Sequence, residues 1–146
     1  MSIFKTRSYK TKNKKGKDKD LIMEHKNILG EELKVCGCDP ITGWKRDGFC
    51  KTEFSDRGVH TVCCVVTEEF LSFSKSQGND LSTPRPEFGF TGLKPGDHWC
   101  VCAGRWFDAY KANKACPVIL EATHEETLAI IPFDALEKNA FKENLQ

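Results

Sequence analysis

A chain of 146 residues with 39% apolar content, ten Phe and three Trp has the length of one domain and enough hydrophobic material for one compact core. No run approaches the roughly 18 consecutive apolar residues of a membrane span, and the N-terminus lacks the apolar stretch of a secretory signal, so no membrane partner is expected. The net charge of +1 hides an asymmetry: eight Lys or Arg stand against two Asp through Asp20, and fourteen basic against nineteen acidic residues follow. A mildly acidic body argues against a nucleic-acid-binding face, except through the basic arm.

Residues 1–24 are Lys-rich with few groups to bury, and are expected to form a disordered basic arm ahead of a single domain over 25–146. The expected location is intracellular and cytoplasmic, with nuclear or organellar targeting by the arm left open.

From Asn27 to Phe54 the density of turn formers, including Pro40, Gly43 and Gly48, predicts loops with short extended pieces. The β-branched run Val59 to Val66 predicts a strand in a sheet interior. Thr67 then caps a helix whose first turn holds Glu68 and Glu69 and on which Phe70, Leu71 and Ser74 share one face with Phe73 beside it; Gly78 ends it. Between Gly78 and Asp97 three prolines and several glycines rule out helix and central strand, and a loop that long in a small domain is commonly functional. Lys94-Pro95-Gly96-Asp97 fits a type II turn.

His98 to Ala103 predicts a second strand and Gly104 to Asn113 a helix with Trp106, Ala109 and Tyr110 on one face. Pro117 to Ala122 and Thr127 to Ile131 are expected as third and fourth strands, followed by a helix around Asp134 to Phe141. The expected class is α+β, a single compact domain with a small sheet of about four strands, helices packed on it and long loops.

Eight cysteines stand in this chain. In a reducing compartment they read as metal ligands, redox thiols or buried small hydrophobes rather than disulfides. Cys36, Cys50, His60, Cys63, Cys100 and Cys102 are the candidate ligands for zinc or another thiophilic metal, although the Cys-x-Cys pairs are a residue short of a zinc knuckle. Strand periodicity puts Cys100 and Cys102 on one face.

A second, polar group comprises Asn79, Asp80, Ser82 and Thr83 in the long loop, Arg105 and Trp106 at a helix start, and Glu121, His124 and Glu125 at a strand end. Such positions on loops and strand ends commonly assemble sites. Here His124 is a candidate acid or base, Arg105 an anion holder and Trp106 an apolar wall. Their bland roles are turn caps, surface pairs and backbone hydrogen bonds. His124-Glu125 opens a zinc-protease pattern, but Leu128 stands where the second His is required. No Gly-x-Ser-x-Gly elbow, phosphate loop or dinucleotide fingerprint is present.

Several strings in order carry a resemblance: Pro40-Ile41-Thr42-Gly43, Gly58-Val59-His60-Thr61-Val62-Cys63, Gly78-Asn79-Asp80-Leu81-Ser82-Thr83-Pro84, Trp99-Cys100-Val101-Cys102-Ala103 and Leu120-Glu121-Ala122-Thr123-His124-Glu125. Over about Asn27 to Ala140 the chain resembles the uncharacterised proteins grouped as domain-of-unknown-function family 2237. The resemblance implies a compact α+β domain and no assigned activity. By the same comparison Phe49 stands where a second Cys is frequent, His98 where Arg is frequent, and Cys38, Cys64 and Cys116 look incidental. Whether the protein is an enzyme stays open. Three functions remain open: binding a small polar or anionic ligand, a Cys/His metal or thiol redox module, and a structural partner-binding domain.

Overall fold

The computed structural model describes residues 25–143; the expected basic arm, residues 1–24, and the last three residues lie outside them. In chain order come β1 (His60–Val65), α1 (Glu68–Ser76), β2 (His98–Cys102), α2 (Ala103–Lys111) and α3 (Phe133–Lys138). Short 3-10 turns lie at Pro86–Phe88, Leu120–Ala122 and Glu125–Ala129. The class is α+β.

The β-branched run folds as β1, buried through its middle four residues. Thr67 caps α1 by accepting the Phe70 N–H at 3.1 Å, and the buried face is Phe70, Leu71 and Ser74. Past the last turn, Gly78 takes φ +94 and donates to the Lys75 carbonyl. The Lys94 to Asp97 turn has Gly96 at φ +100 and is closed by the Asp97 N–H on the Lys94 carbonyl at 3.0 Å, which turns the chain into β2. Strands β1 and β2 pair antiparallel, with Cys63 opposite Cys100 and His60 opposite Cys102. A bulge interrupts the ladder between His60 and Val62.

Among the described residues the sheet has two strands, not about four. Pro117 has no N–H to give a ladder, so at the expected third strand only Val118 bridges, to Cys64 on one side and Ala140 on the other. The chain then coils into the Leu120–Ala122 turn. At the expected fourth strand, His124 Nδ1 accepts the Glu126 N–H at 3.0 Å and the His124 carbonyl accepts that of Thr127. This capping directs the backbone into a 3-10 turn instead of a ladder.

The long loop after α1 is ordered by its own backbone. Arg85 and Phe90 exchange hydrogen bonds at 2.8 and 3.1 Å, and Leu93 donates to Leu81 at 2.8 Å. Gly92, at φ +84, passes so close to the Ser82 carbonyl that a side chain there would collide with it. The main core gathers Phe70, Trp99 and Trp106 with the aliphatic side chains of β1 and α3. A second, smaller cluster contains Cys36, Cys50, Cys63, Cys100 and Ala122. Among the described residues no helix is long and apolar enough to cross a membrane.

Candidate functional site

The smaller cluster corrects the expectation that the cysteines are unpaired. Cys36 is bonded to Cys63 and Cys50 to Cys100, with Cα separations of 5.8 and 5.3 Å. The register explains the proximity: Cys63 and Cys100 face each other across β1 and β2, and the preceding loop lays Cys36 and Cys50 over that pair. The Cys36 backbone N–H is held on the Gly48 carbonyl at 2.7 Å. The sulfurs of Cys36, Cys50 and Cys100 all lie within 4.8 Å of one another and Cys63 is bonded to Cys36, so four of the six expected metal ligands converge. The other two, His60 and Cys102, line a cavity that Cys100 also borders. Cys38, Cys64, Cys102 and Cys116 are free thiols. Burial is the main force pushing the Cys64 thiol well up, reinforced by its hydrogen bond with Cys116, so Cys64 stays protonated and unreactive.

That cavity, of about 450 Å³, opens between the Gly43 to Arg46 turn, the strand pair and the long loop. Its walls include the rings of Trp44, Phe88, Phe90 and Trp99. Its polar lining is Arg46, His60, Asn79, Arg85 and Cys102, with no carboxylate. The size and the mix of apolar wall with a few polar groups are those of small-molecule sites. Arg46 lies over the Trp99 ring at 5.1 Å and donates to the Gly43 carbonyl at 2.6 Å, which fixes its guanidinium. Arg85 lies over Phe88 and donates to Glu87 at 3.2 Å.

The His60 ring is held from two sides. Its Nδ1 stands 2.6 Å from Asp56 Oδ1, and its face stacks on Trp44 at 5.7 Å with 11° between planes. Asp56 is buried and also accepts the Thr52 hydroxyl at 3.0 Å and the His60 backbone N–H at 2.9 Å. Trp44 in turn donates its indole N–H to Glu53 at 3.1 Å. Hydrogen bonds from Ser55, Lys45 and Trp44 hold the Glu53 carboxyl down to about 2.

The polar group expected from the sequence does not meet at one place. Asn79 lines the cavity. Asp80 caps its own turn, accepting the Ser82 and Thr83 N–H groups and the Thr83 hydroxyl, bonds that hold its carboxyl low. Ser82 and Thr83 are exposed on that turn. Arg105 donates to the Gln77 carbonyl at 3.0 Å and ties α1 to α2. Trp106 is no pocket wall: its ring is fully buried and its N–H donates to the Cys116 carbonyl at 2.9 Å. Glu121 serves through its carbonyl, which accepts from Asn27 Nδ2 and Lys34 N–H. His124 is fully buried and contacts His25 at 2.9 Å, beside the half-buried Glu125.

Arg85, Phe88 and Phe90 lie in the long loop that the sequence marks as a functional region, whereas Trp44, Arg46, Asp56 and Trp99 are not marked as site residues. For Asp56 the Asp56-x-x-x-His60 spacing is a hint, since i and i+4 meet across a turn.

Fold and cavity together define a small disulfide-stapled α+β domain with an aromatic, cationic pocket beside its strand pair. By sequence the chain belongs to a family described as uncharacterised proteins conserved in bacteria, DUF2237, whose profile matches residues 26–140. No curated protein matches the chain.

Proposed function

We propose that the domain binds a small, planar, anionic molecule in the cavity beside His60. The observation that carries the proposal is the lining: two positioned guanidiniums, an imidazole and four aromatic rings, with no carboxylate. Aromatic walls favour a flat ligand, and a guanidinium fork is suited to a carboxylate or phosphate. The expected small polar or anionic ligand is thereby moved from the Arg105 and His124 region to the Arg46, Arg85 and Asn79 region.

A direct test uses 2-naphthoate as probe, with tryptophan fluorescence as readout. Loss of a charge-assisted hydrogen bond costs about 1.5–3 kcal/mol, so Arg85→Ala and Arg46→Ala should each weaken binding by at least about tenfold. The neutral 2-naphthamide should bind more weakly than 2-naphthoate. Equal binding of both probes, or binding unaffected by either substitution, would contradict the proposal.

A second reading, a thiolate metal or redox module, is favoured by the close approach of the Cys36, Cys50 and Cys100 sulfurs. With both bonds reduced, these three and Cys63 are the thiolates that would take zinc or another thiophilic ion. Metal content of protein prepared under a phosphine reductant tests it: stoichiometric zinc supports the reading and its absence removes it.

A further inference from the structure

We propose that Cys102 is a nucleophile of this cavity, served by His60 as proton acceptor and donor, in acyl transfer from an activated ester or thioester. This deepens the ligand-binding reading and rests on it.

Three features of the backbone set the arrangement up. Val59, a β-branched residue, is held at φ +50, a strained conformation for its type. The Thr61 N–H reaches back to the Val59 carbonyl at 2.9 Å, closing a three-residue turn centred on His60. The adjacent bulge then leaves His60 directly opposite Cys102. Opposed residues of an antiparallel pair share a face, and both His60 and Cys102 line the cavity.

The side chains complete it. Asp56 Oδ1 at 2.6 Å from Nδ1 requires the proton of the neutral ring to sit on Nδ1 and leaves Nε2 as the acceptor. Nε2 makes no hydrogen bond to the described residues. Cys102 is the N-cap residue of α2, yet its side chain makes no capping bond. The Ala103 N–H is taken by the Val59 carbonyl at 3.0 Å, whereas the Gly104 and Arg105 amides lie in the first turn, where helical partners are lacking. Those amides favour the negative charge that develops on the oxygen of a tetrahedral adduct. Cys102 is half-buried and lines the cavity, unlike buried Cys64 and Cys116 or exposed Cys38.

The chemistry balances without an oxidant. As the Cys102 sulfur attacks the carbonyl carbon, its proton passes to His60 Nε2 and a C–S bond forms. Collapse of the adduct breaks the bond to the leaving alcohol or thiol, which departs with that proton. Water then attacks the thioester, gives a proton to Nε2, and the sulfur leaves and recovers it. The net reaction is hydrolysis of the acyl donor to acid and alcohol or thiol. Asp56 acts through His60 and is a positioning residue.

The test treats the folded chain with 4-nitrophenyl acetate, following nitrophenolate release and locating the acetyl group by peptide mass. Acetylation should fall on Cys102, and 2-naphthoate should inhibit it competitively. Cys102→Ala should abolish it and Cys38→Ser should leave it intact. His60→Asn should slow it by about 100-fold or more. Asp56→Asn should slow the saturated step by at least about tenfold while 2-naphthoate affinity stays unchanged, a split that a merely structural role would not give; circular dichroism confirms that the variant is folded. Preferential acetylation of Cys38, or an unchanged rate in folded His60→Asn, would overturn the proposal. Wild-type protein that binds 2-naphthoate but is not acetylated at Cys102 sinks the nucleophile alone, whereas failure to bind 2-naphthoate sinks the ligand reading beneath it.

Discussion

Trp44 is exposed, yet it forms one wall of the cavity and one face of the His60 environment, so its position depends on the Glu53 carboxylate that accepts its N–H. That carboxyl titrates at about 2 in the fold against an ordinary value of 4.5. A group with a depressed folded value stabilises the fold fully above its unfolded value and loses that contribution as pH falls through the folded one. The indole N–H resonance of Trp44, assigned with Trp44→Phe, should therefore hold steady from pH 7 down to about 4 and move only as pH approaches 2. A transition centred near 4.5 would show that the tether is absent. At this scale the sequence was legible where one residue acts on its chain neighbours: the Thr67 cap and the Gly96 turn are local chemistry. Arg46, Trp44 and Asp56 were not legible, because their roles depend on rings and backbone that folding brings from elsewhere.

The two disulfides staple the long N-terminal loop to the strand pair, closing segments with sequence separations of 27 and 50. On loop-closure grounds each contributes on the order of 3–4 kcal/mol, and because the segments interleave the two contributions are not additive. The Cys50→Ala/Cys100→Ala double variant should lose about that much in urea unfolding. A loss under about 1 kcal/mol would contradict the staple. The elements themselves were readable from periodicity and caps, which identified both strands of the pair and the three helices within a few residues. The supposed strands after Cys116 failed because apolar runs at Pro117 and Thr127 meet a missing N–H and a capping imidazole, both of which redirect the backbone. The disulfides were missed for a different reason. The lack of an apolar export segment pointed to a reducing compartment, while pairing depends on a cross-strand register that spacing alone does not supply.

For the whole molecule, the folding problem and the site problem have one solution. The bulged antiparallel pair sets Cys63 opposite Cys100, within the sulfur cluster, and His60 opposite Cys102, where both residues line the cavity. The long loop, singled out in sequence for its length, supplies Asn79, Leu81, Arg85, Phe88 and Phe90 to that cavity. The His124 end of the molecule, equally prominent in sequence, is instead packed against His25 and Asn27. The most direct measurement is a titration of the labelled protein with 2-naphthoate followed by backbone amide chemical shifts. Saturable shifts clustered at His60, Asn79, Arg85, Phe90 and Cys102 are expected. Shifts confined to His124 and Glu125, or none at all, would contradict it.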